Sequence, residues 1–181
     1  MTRIASRTLG SATVTVLTDG GIDFGPELFP GTAPEHIKAL LASQHADAIA
    51  TNFNAVLIQN AGRTILCDAG PRDLFGPTCG FLPDAMAEAG VAAADVDTLF
   101  ATHLHPDHIA GMITADGAAV FPNAELVVAA AELAFWSDET NTQGLPDPFP
   151  DWSAVALTVL AAYGDRLRPV AGEGDIAPRL T

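Results

Sequence analysis

The 181-residue sequence predicts one layered α/β domain in which short strands alternate with short helices. Two observations predict this class. Runs of β-branched and apolar residues of strand length recur along the chain, and several are followed by apolar residues at helical spacing. The composition also fits a folded domain, because 49% of the residues are hydrophobic and 17% are charged. We therefore expect residues 1–181 to form a single domain around one core.

The first half of the chain is predicted to form strands joined by turns, with two helices. Residues 11–18 alternate in polarity and are rich in β-branched side chains, which is typical of a strand. Residues 34–43 place their apolar side chains on one face of a short helix. Residues 54–70 are predicted as a β-hairpin that turns around Asn-Ala-Gly. Residues 81–89 are predicted as a helix that ends at Gly90.

The second half is predicted to continue this alternation of strands and helices. Pattern and capping residues indicate a strand over 97–102, a helix over 107–113, a strand over 125–129, helices over 130–137 and 152–163, and a final strand and turn over 166–181. Residues 138–151 are rich in Pro, Gly, Asp and Asn and are predicted as a loop.

The charge and the termini exclude several kinds of partner. A net charge of −14 and a pI near 4.3 argue against binding to nucleic-acid backbones and to anionic membrane surfaces. The N-terminal stretch lacks the apolar core of a secretory signal, and the longest apolar runs are too short to cross a bilayer. Cys67 and Cys79 do not form a CxxC motif and are predicted as free thiols. We expect a cytoplasmic protein with a small-molecule substrate, without nucleic-acid or membrane partners.

The segment ATHLHPDHIAGM, residues 101–112, places three histidines and one aspartate within six positions. Side chains two apart in an extended segment point the same way, so His103 and His105 can face one ion. Leu104 then points in the opposite direction, into the core. Imidazole is a usual ligand of zinc and similar divalent ions.

Pro106 turns the chain, and Asp107 and His108 follow at the predicted helix start. They form a second pair of donors, so one short segment can supply two ligands to each of two neighbouring ions. A chance cluster of surface or core histidines is the alternative. The HxHxDH pattern between an apolar strand and a glycine-containing helix favours the metal site.

THLHPDH resembles the signature of the metallo-β-lactamase superfamily. A wider resemblance extends over most of the chain: NAVLIQNAGRTILCDAG, LFGPTCG, THLHPDHIAGM, FPNAELVV and FW occur in an order similar to that of the methyl parathion hydrolase branch, which is related to the acyl-homoserine lactonases. The resemblance implies an αββα sandwich of two similar halves and two metal ions, zinc first, with manganese, iron or cobalt as alternatives. It also implies that a metal-bound hydroxide attacks an ester-like bond, in a lactone or a phosphotriester.

The same resemblance assigns roles to individual residues. It implies that His103 and His105 bind the first metal, and that Asp107 and His108 bind the second, with Asp107 also counted as catalytic. Asp68, at the end of the predicted hairpin, matches an aspartate that braces the ligand loop. A turn or capping role for Asp68 explains its presence equally well.

Aromatic residues are matched to the substrate pocket of that branch. Phe75, in LFGPT, and Trp136, in FW, correspond to pocket positions. Apolar packing is an equally good explanation for both side chains. Phe149 and Trp152, beside the proline-rich loop, are weaker candidates for a cap over the pocket.

One part of the family pattern has no counterpart in this sequence. The family requires a later histidine, a bridging aspartate and a final histidine, which follow a stretch like GHTPGHT in this branch. The sequence ends at GDIAPRLT, where that stretch should begin, and its last histidine is His108. We therefore expect a sandwich truncated to its N-terminal half and part of the linker. The chain is then a fragment, a truncated relative, or a protein completed by a second chain, for which a homodimer is expected.

Two other functions are compatible with parts of this pattern. A truncated, non-catalytic scaffold would bind metal weakly or not at all and act through association. RNA-processing nucleases also carry HxHxDH, but the acidic charge and the absence of a basic, aromatic face disfavour that function. No GxSxG nucleophile motif occurs, and Cys67 has no adjacent histidine.

Overall fold

The computed structural model describes residues 2–145, 147, 149–174 and 176–177, without the side chains of 149 and 150. The strands are β1 Ile4–Leu9, β2 Ala12–Phe24, β3 Ile49–Asn60, β4 Arg63–Cys67, β5 Thr98–Ala101, β6 Glu125–Ala129 and β7 Leu167–Val170. The helices are α1 Pro34–Ser43, α2 Leu82–Glu88, α3 Pro106–Ile109, α4 Ala130–Trp136 and α5 Phe149–Tyr163. None of the helices within these ranges has the length and apolar character needed to cross a membrane.

The seven strands form one sheet whose spatial order follows the chain, from β1 to β7. Strands β1 to β4 pair antiparallel, and β4 to β7 pair parallel. Parallel neighbours need crossover connections, and α2 to α5 lie in those connections. The carboxyl ends of β4, β5 and β6 therefore lie at the same edge of the sheet, where ligands bind in open α/β sheets.

A row of leucines across the sheet forms the centre of the core. Leu57, Leu66, Leu99 and Leu126 are paired in register from β3 to β6, and each is 0% exposed. Side chains of α2, α4 and α5 belong to the same cluster. Burying each leucine contributes about 2 kcal/mol to stability, so this face fixes the helices on the sheet.

The opposite face of the sheet is less covered. Val16, Val56, Cys67 and Phe100 are paired in register on four successive strands. Val16 is 37% exposed, and the other three are half-buried. In the described part of the chain, the helices thus cover one face of the sheet much more than the other.

Most of the expected elements are confirmed. The predicted hairpin is β3–β4, and the turn residues Ala61 and Gly62 both have positive φ, +50° and +78°. That geometry belongs to the two-residue turn whose twist matches a hairpin. The helix expected over 34–43 has those bounds, and the helix expected over 81–89 is α2, which ends just before Gly90.

Three expectations were wrong in detail. Strand β1 was not expected, because its sequence IASRTL does not alternate in polarity; it is mostly exposed, as an edge strand with one neighbour can be. The helix expected over 107–113 is a single turn, α3, followed by a 3-10 turn at Ala110–Met112. The loop expected over 138–151 contains a 3-10 turn at Glu139–Asn141 and the first residues of α5. The proline at position 150 does not prevent the helix from starting there, because proline is tolerated in the first turn.

Candidate metal centre

Polar side chains follow the carboxyl ends of three neighbouring parallel strands. Asp68 comes directly after β4, the segment 102–108 comes directly after β5, and Glu132 lies in the first turn of α4, after β6. These groups are distant in sequence but share one edge of the sheet. The fold therefore brings a carboxylate to each side of the histidine segment.

The three histidines of the segment form one cluster. The ring centroids of His103 and His105 are 4.5 Å apart, and those of His103 and His108 are 4.0 Å apart. Leu104 is 0% exposed, which confirms the expectation that it points into the core. The sequence suggested two separate donor pairs, whereas the structure packs His108 directly against His103. The reason is the turn of α3, in which the His108 N–H donates to the His105 carbonyl (3.0 Å).

Asp68 joins the two ends of the histidine segment. Its carboxylate is 7% exposed and accepts hydrogen bonds from the Thr102 N–H (2.9 Å), the Thr102 hydroxyl (2.8 Å) and the His108 Nδ1 (2.8 Å). Its backbone has φ of +59°, a conformation that aspartate and asparagine tolerate better than most residues. The side chain therefore connects the residue before His103 to the last histidine of the motif.

A close approach between the backbone that follows Asp68 and the backbone of the histidine segment also holds that segment in place. The Ala69 N–H donates to the His108 carbonyl (2.7 Å), and the Gly111 N–H donates to the Gly70 carbonyl (3.0 Å). A Cβ atom on Gly111 would lie 2.0 Å from the Ala69 carbonyl oxygen. Only glycine fits at this position, which explains the glycine after the motif.

The pKa values of the cluster's members are shifted in different directions. Burial lowers the pKa of His108, but the hydrogen bonds and negative charges of Asp107 and Asp68 outweigh it and raise the pKa to about 9. Burial raises the pKa of Asp107, but the bond to His108 and its positive charge outweigh that effect, so the pKa is lowered. Burial, followed by the charge of His103, lowers the pKa of His105. A charged Asp107 and a neutral His105 are in the protonation states that metal binding requires.

Two tryptophans pack against His105. The Trp136 ring lies edge-on to it, with centroids 5.6 Å apart at 88°, and the Trp152 ring lies 4.8 Å away. Trp136 is 3% exposed, so most of its surface is used in packing. The side chain of Phe149 lies outside the described residues.

Phe75 occupies a different environment from Trp136. It is half-buried, and its ring packs against Phe53 of β3 with centroids 5.3 Å apart. Within the ranges that the structure describes, the histidines are not among the ring partners of Phe75. The structure therefore brings Trp136, but not Phe75, into direct ring contact with the cluster.

Sequence reasoning missed Glu132. Its Oε2 accepts hydrogen bonds from the Leu104 N–H (2.8 Å) and from the Trp136 indole N–H (3.0 Å). A glutamate in the first turn of a helix is common, because it complements the helix dipole, so the sequence carried no signal of this role.

The donors suit a divalent metal in type but are few. Imidazole nitrogens and a carboxylate oxygen are ligands of zinc and related ions. Among the described residues, no group of three or more His, Cys, Asp or Glu side chains has a geometry that could hold a metal ion. Catalytic zinc usually has three protein ligands, so this part of the chain offers part of a donor set.

The cysteines do not offer an alternative nucleophile. Both are free thiols, as expected. Burial and the charge of Asp68 raise the pKa of Cys67 to about 11, and burial raises the pKa of Cys79. Both thiols therefore stay protonated near neutral pH, whereas nucleophilic cysteines need the thiolate.

Comparisons with known proteins agree with the fold. Among solved structures, the chain is similar to hydrolase AbOPH of the beta lactamase superfamily, with a TM-score of 0.88 and 28% identity over 97% of this chain and 63% of that one. It is also similar to AidC, a dizinc quorum-quenching lactonase solved with the product N-hexnoyl-L-homoserine, with a TM-score of 0.83 and 25% identity over 92% of this chain and 60% of that one. A probable metal-dependent hydrolase from Staphylococcus aureus shares the fold, with a TM-score of 0.68 and 20% identity over 95% of this chain and 63% of that one.

The chain thus spans about 60% of the length of these solved relatives. A search of curated proteins found no match. The mixed α/β fold with its seven-stranded sheet confirms the expected fold class. The family model of the metallo-beta-lactamase superfamily matches residues 51–174, which include Asp68 and the whole histidine segment. The chain belongs to the metallo-β-lactamase superfamily.

Proposed function

We propose that this protein is a metal-dependent hydrolase that acts on an ester-like bond in a small molecule, a lactone or a phosphotriester. The observation that carries the proposal is the cluster of three imidazoles at the carboxyl edge of the parallel strands, with Asp107 and Asp68 beside it. The similarity to a hydrolase and to a dizinc lactonase supports it.

The metal-binding residues in this proposal are those of the HxHxDH segment. His103 and His105 bind one divalent ion, and Asp107 and His108 bind a second, with zinc the first choice for both. When bound, such ions polarise the substrate oxygen and make water a stronger nucleophile at neutral pH. His108 must release its proton to bind, since its pKa in the metal-free protein is about 9, so metal uptake releases protons.

The protein's own side chains then shape the site around the metals. Asp68 holds His108 through Nδ1 and fixes which ring nitrogen is free. Trp136 and Trp152 form an apolar wall beside His105, which excludes water and suits a substrate with an apolar part. In this proposal, the metal donors that the described residues lack are supplied by a second copy of the chain in a homodimer.

Metal content and hydrolysis test this function together. The purified 181-residue protein, dialysed against metal-free buffer and reloaded with zinc, is expected to retain zinc and to hydrolyse a lactone or a chromogenic phosphotriester. The double variant His103→Ala/His105→Ala should lose at least half of the retained zinc. The matched control is His36→Ala, an exposed histidine on α1, which should retain the wild-type amount. Equal zinc in all three proteins would contradict the assignment.

A non-catalytic scaffold is the second candidate function. It is favoured by the absence, within the described ranges, of any group of three or more His, Cys, Asp or Glu side chains with the geometry to hold a metal ion. This candidate predicts weak zinc retention and no hydrolysis at any protein concentration. Light scattering measured alongside the assays separates the two, because a site completed by a second copy gains zinc and activity as the protein dimerises.

A further inference from the structure

One carboxylate oxygen contacts both the histidine segment and Trp136 of the apolar wall. The Oε2 of Glu132 accepts hydrogen bonds from the Leu104 N–H (2.8 Å) and the Trp136 indole N–H (3.0 Å). Glu132 is half-buried on α4, and its two partners are distant from each other in the sequence. A single acceptor therefore couples the loop after β5 to the helix after β6.

The two hydrogen bonds hold residues that adjoin or contact His105. Leu104 lies between His103 and His105, and its N–H belongs to the peptide unit that joins it to His103, so the bond to Glu132 fixes that peptide unit. Its own side chain is 0% exposed, which anchors the same residue in the core. The Trp136 ring, held by the other bond, packs edge-on to the His105 ring. Glu132 thus restrains the His103 side of the segment through the backbone and His105 through an aromatic ring.

We propose that Glu132 is a positioning residue that sets the orientation of His103 and His105 for metal binding; this rests on the proposed function of those histidines. Charge-assisted hydrogen bonds that a carboxylate accepts are shorter and stronger than neutral ones. Residues that orient metal ligands typically change metal affinity about 10- to 100-fold when they are removed. Glu132 contacts no substrate atom in this proposal and acts only through Leu104 and Trp136.

Three substitutions at Glu132 test the role by zinc affinity, measured by competition with a chromogenic chelator. Glu132→Ala removes both bonds and should weaken zinc binding about 10- to 100-fold. Glu132→Gln keeps an acceptor oxygen and should stay much closer to the wild type. Glu132→Asp keeps the charge but withdraws it by one methylene, and it replaces the alanine variant if that variant fails to fold. Glu35→Gln, on the exposed side of α1, removes the same charge and should bind zinc as the wild type does.

Nuclear magnetic resonance of the metal-free protein gives a readout that does not depend on zinc. The Leu104 amide and the His105 ring signals should shift in Glu132→Ala and Glu132→Asp and stay in place in Glu35→Gln.

The two measurements separate failure of this inference from failure of the proposed function. If the wild-type protein binds no zinc, the metal function fails, and the His105 ring signals alone decide the positioning role. If zinc affinity and His105 signals are unchanged in Glu132→Ala and Glu132→Asp, the positioning role is refuted. A shift of the Leu104 amide with unchanged zinc affinity would also refute it, because Glu132 would then stabilise the fold without orienting the histidines.

Discussion

Replacing Asp68 tests whether a buried charge holds the histidine segment in place. The carboxylate is 7% exposed and bonds to Thr102 and His108. Asp68→Asn keeps the shape, tolerates the φ of +59° and can still accept a bond from the Thr102 N–H, but it removes the charge. Asp68→Ala also removes the acceptors and places alanine in an unfavourable backbone conformation. The pair of variants therefore separates charge from hydrogen bonding and backbone strain.

The expected change in the free energy of unfolding follows from the pKa of His108. A pKa of about 9, against about 6.5 for an unperturbed histidine, corresponds to roughly 3 kcal/mol in favour of the imidazolium. The side chain is 30% exposed, and Asp107 contributes to the same shift, so about 1–2 kcal/mol belongs to Asp68 after solvent screening. Asp68→Asn should lower the free energy of unfolding by about 1–2 kcal/mol at pH 7. Asp68→Ala should lower it by about 3–4 kcal/mol, because unpaired donors and backbone strain are added.

The effect of Asp68→Asn should depend on pH in a defined direction. The pKa of His108 is raised in the folded protein, so its stabilising contribution is complete below about pH 6.5 and is lost as the pH rises through about 9. The difference in unfolding free energy between wild type and Asp68→Asn should therefore shrink between pH 6.5 and 9.

Urea unfolding of the metal-free proteins at pH 6, 7.5 and 9.5 measures this difference. Asp47→Asn is the control, since Asp47 is exposed and should show no such pH dependence. A difference that stays constant with pH would refute the ion pair between Asp68 and His108. An asparagine variant as stable as the wild type at pH 6 would refute the estimate as a whole.

Two further substitutions and one reactivity measurement have expected outcomes. Gly111→Ala should lower the melting temperature strongly, because its Cβ would lie 2.0 Å from the Ala69 carbonyl oxygen; an unchanged melting temperature would show that the loop can shift at little cost. Leu104→Ala removes a side chain that is 0% exposed and should reduce the free energy of unfolding by about 3 kcal/mol, measured in urea; a loss below about 1 kcal/mol would contradict its place in the core. The Cys67 thiol, with a pKa of about 11, should react with iodoacetamide at pH 7.5 far more slowly in the folded than in the unfolded protein, and equal rates would contradict its burial.

The parts of the fold that could be predicted from the sequence are those whose signal is local. The hairpin turn at Ala61 and Gly62, the end of α2 before Gly90 and the inward direction of Leu104 each depend on a few consecutive residues. The edge strand β1 was missed because its residues do not alternate in polarity, and it is a strand only through its pairing with β2. Propensity carries little information for a strand whose partners are elsewhere in the chain.

In the candidate site too, some features could be predicted from local sequence and others could not. The spacing in HxHxDH indicated the donors, because two-residue periodicity and a turn after proline act within one segment. The packing of His108 on His103 was not predicted, because it depends on how tightly α3 turns. Glu132 was not predicted for another reason, and the bracing role of Asp68 was implied only by the family resemblance. Each joins segments about 30 residues apart or more, and nothing local distinguishes these carboxylates from ordinary cap or turn residues.

The non-local contacts explain how the histidine segment would be ordered before it binds the metal of the proposed function. Asp68, after β4, holds Thr102 and His108 at the two ends of the segment, while Glu132, on α4, holds Leu104 near its middle. All of these contacts are made by the protein alone. A loop restrained at three points loses little conformational entropy when it binds an ion, so more of the binding energy appears as affinity. In the metal-free protein, the charged His108 also balances the negative charges of Asp68 and Asp107, a role that the cation of the proposed function would take over.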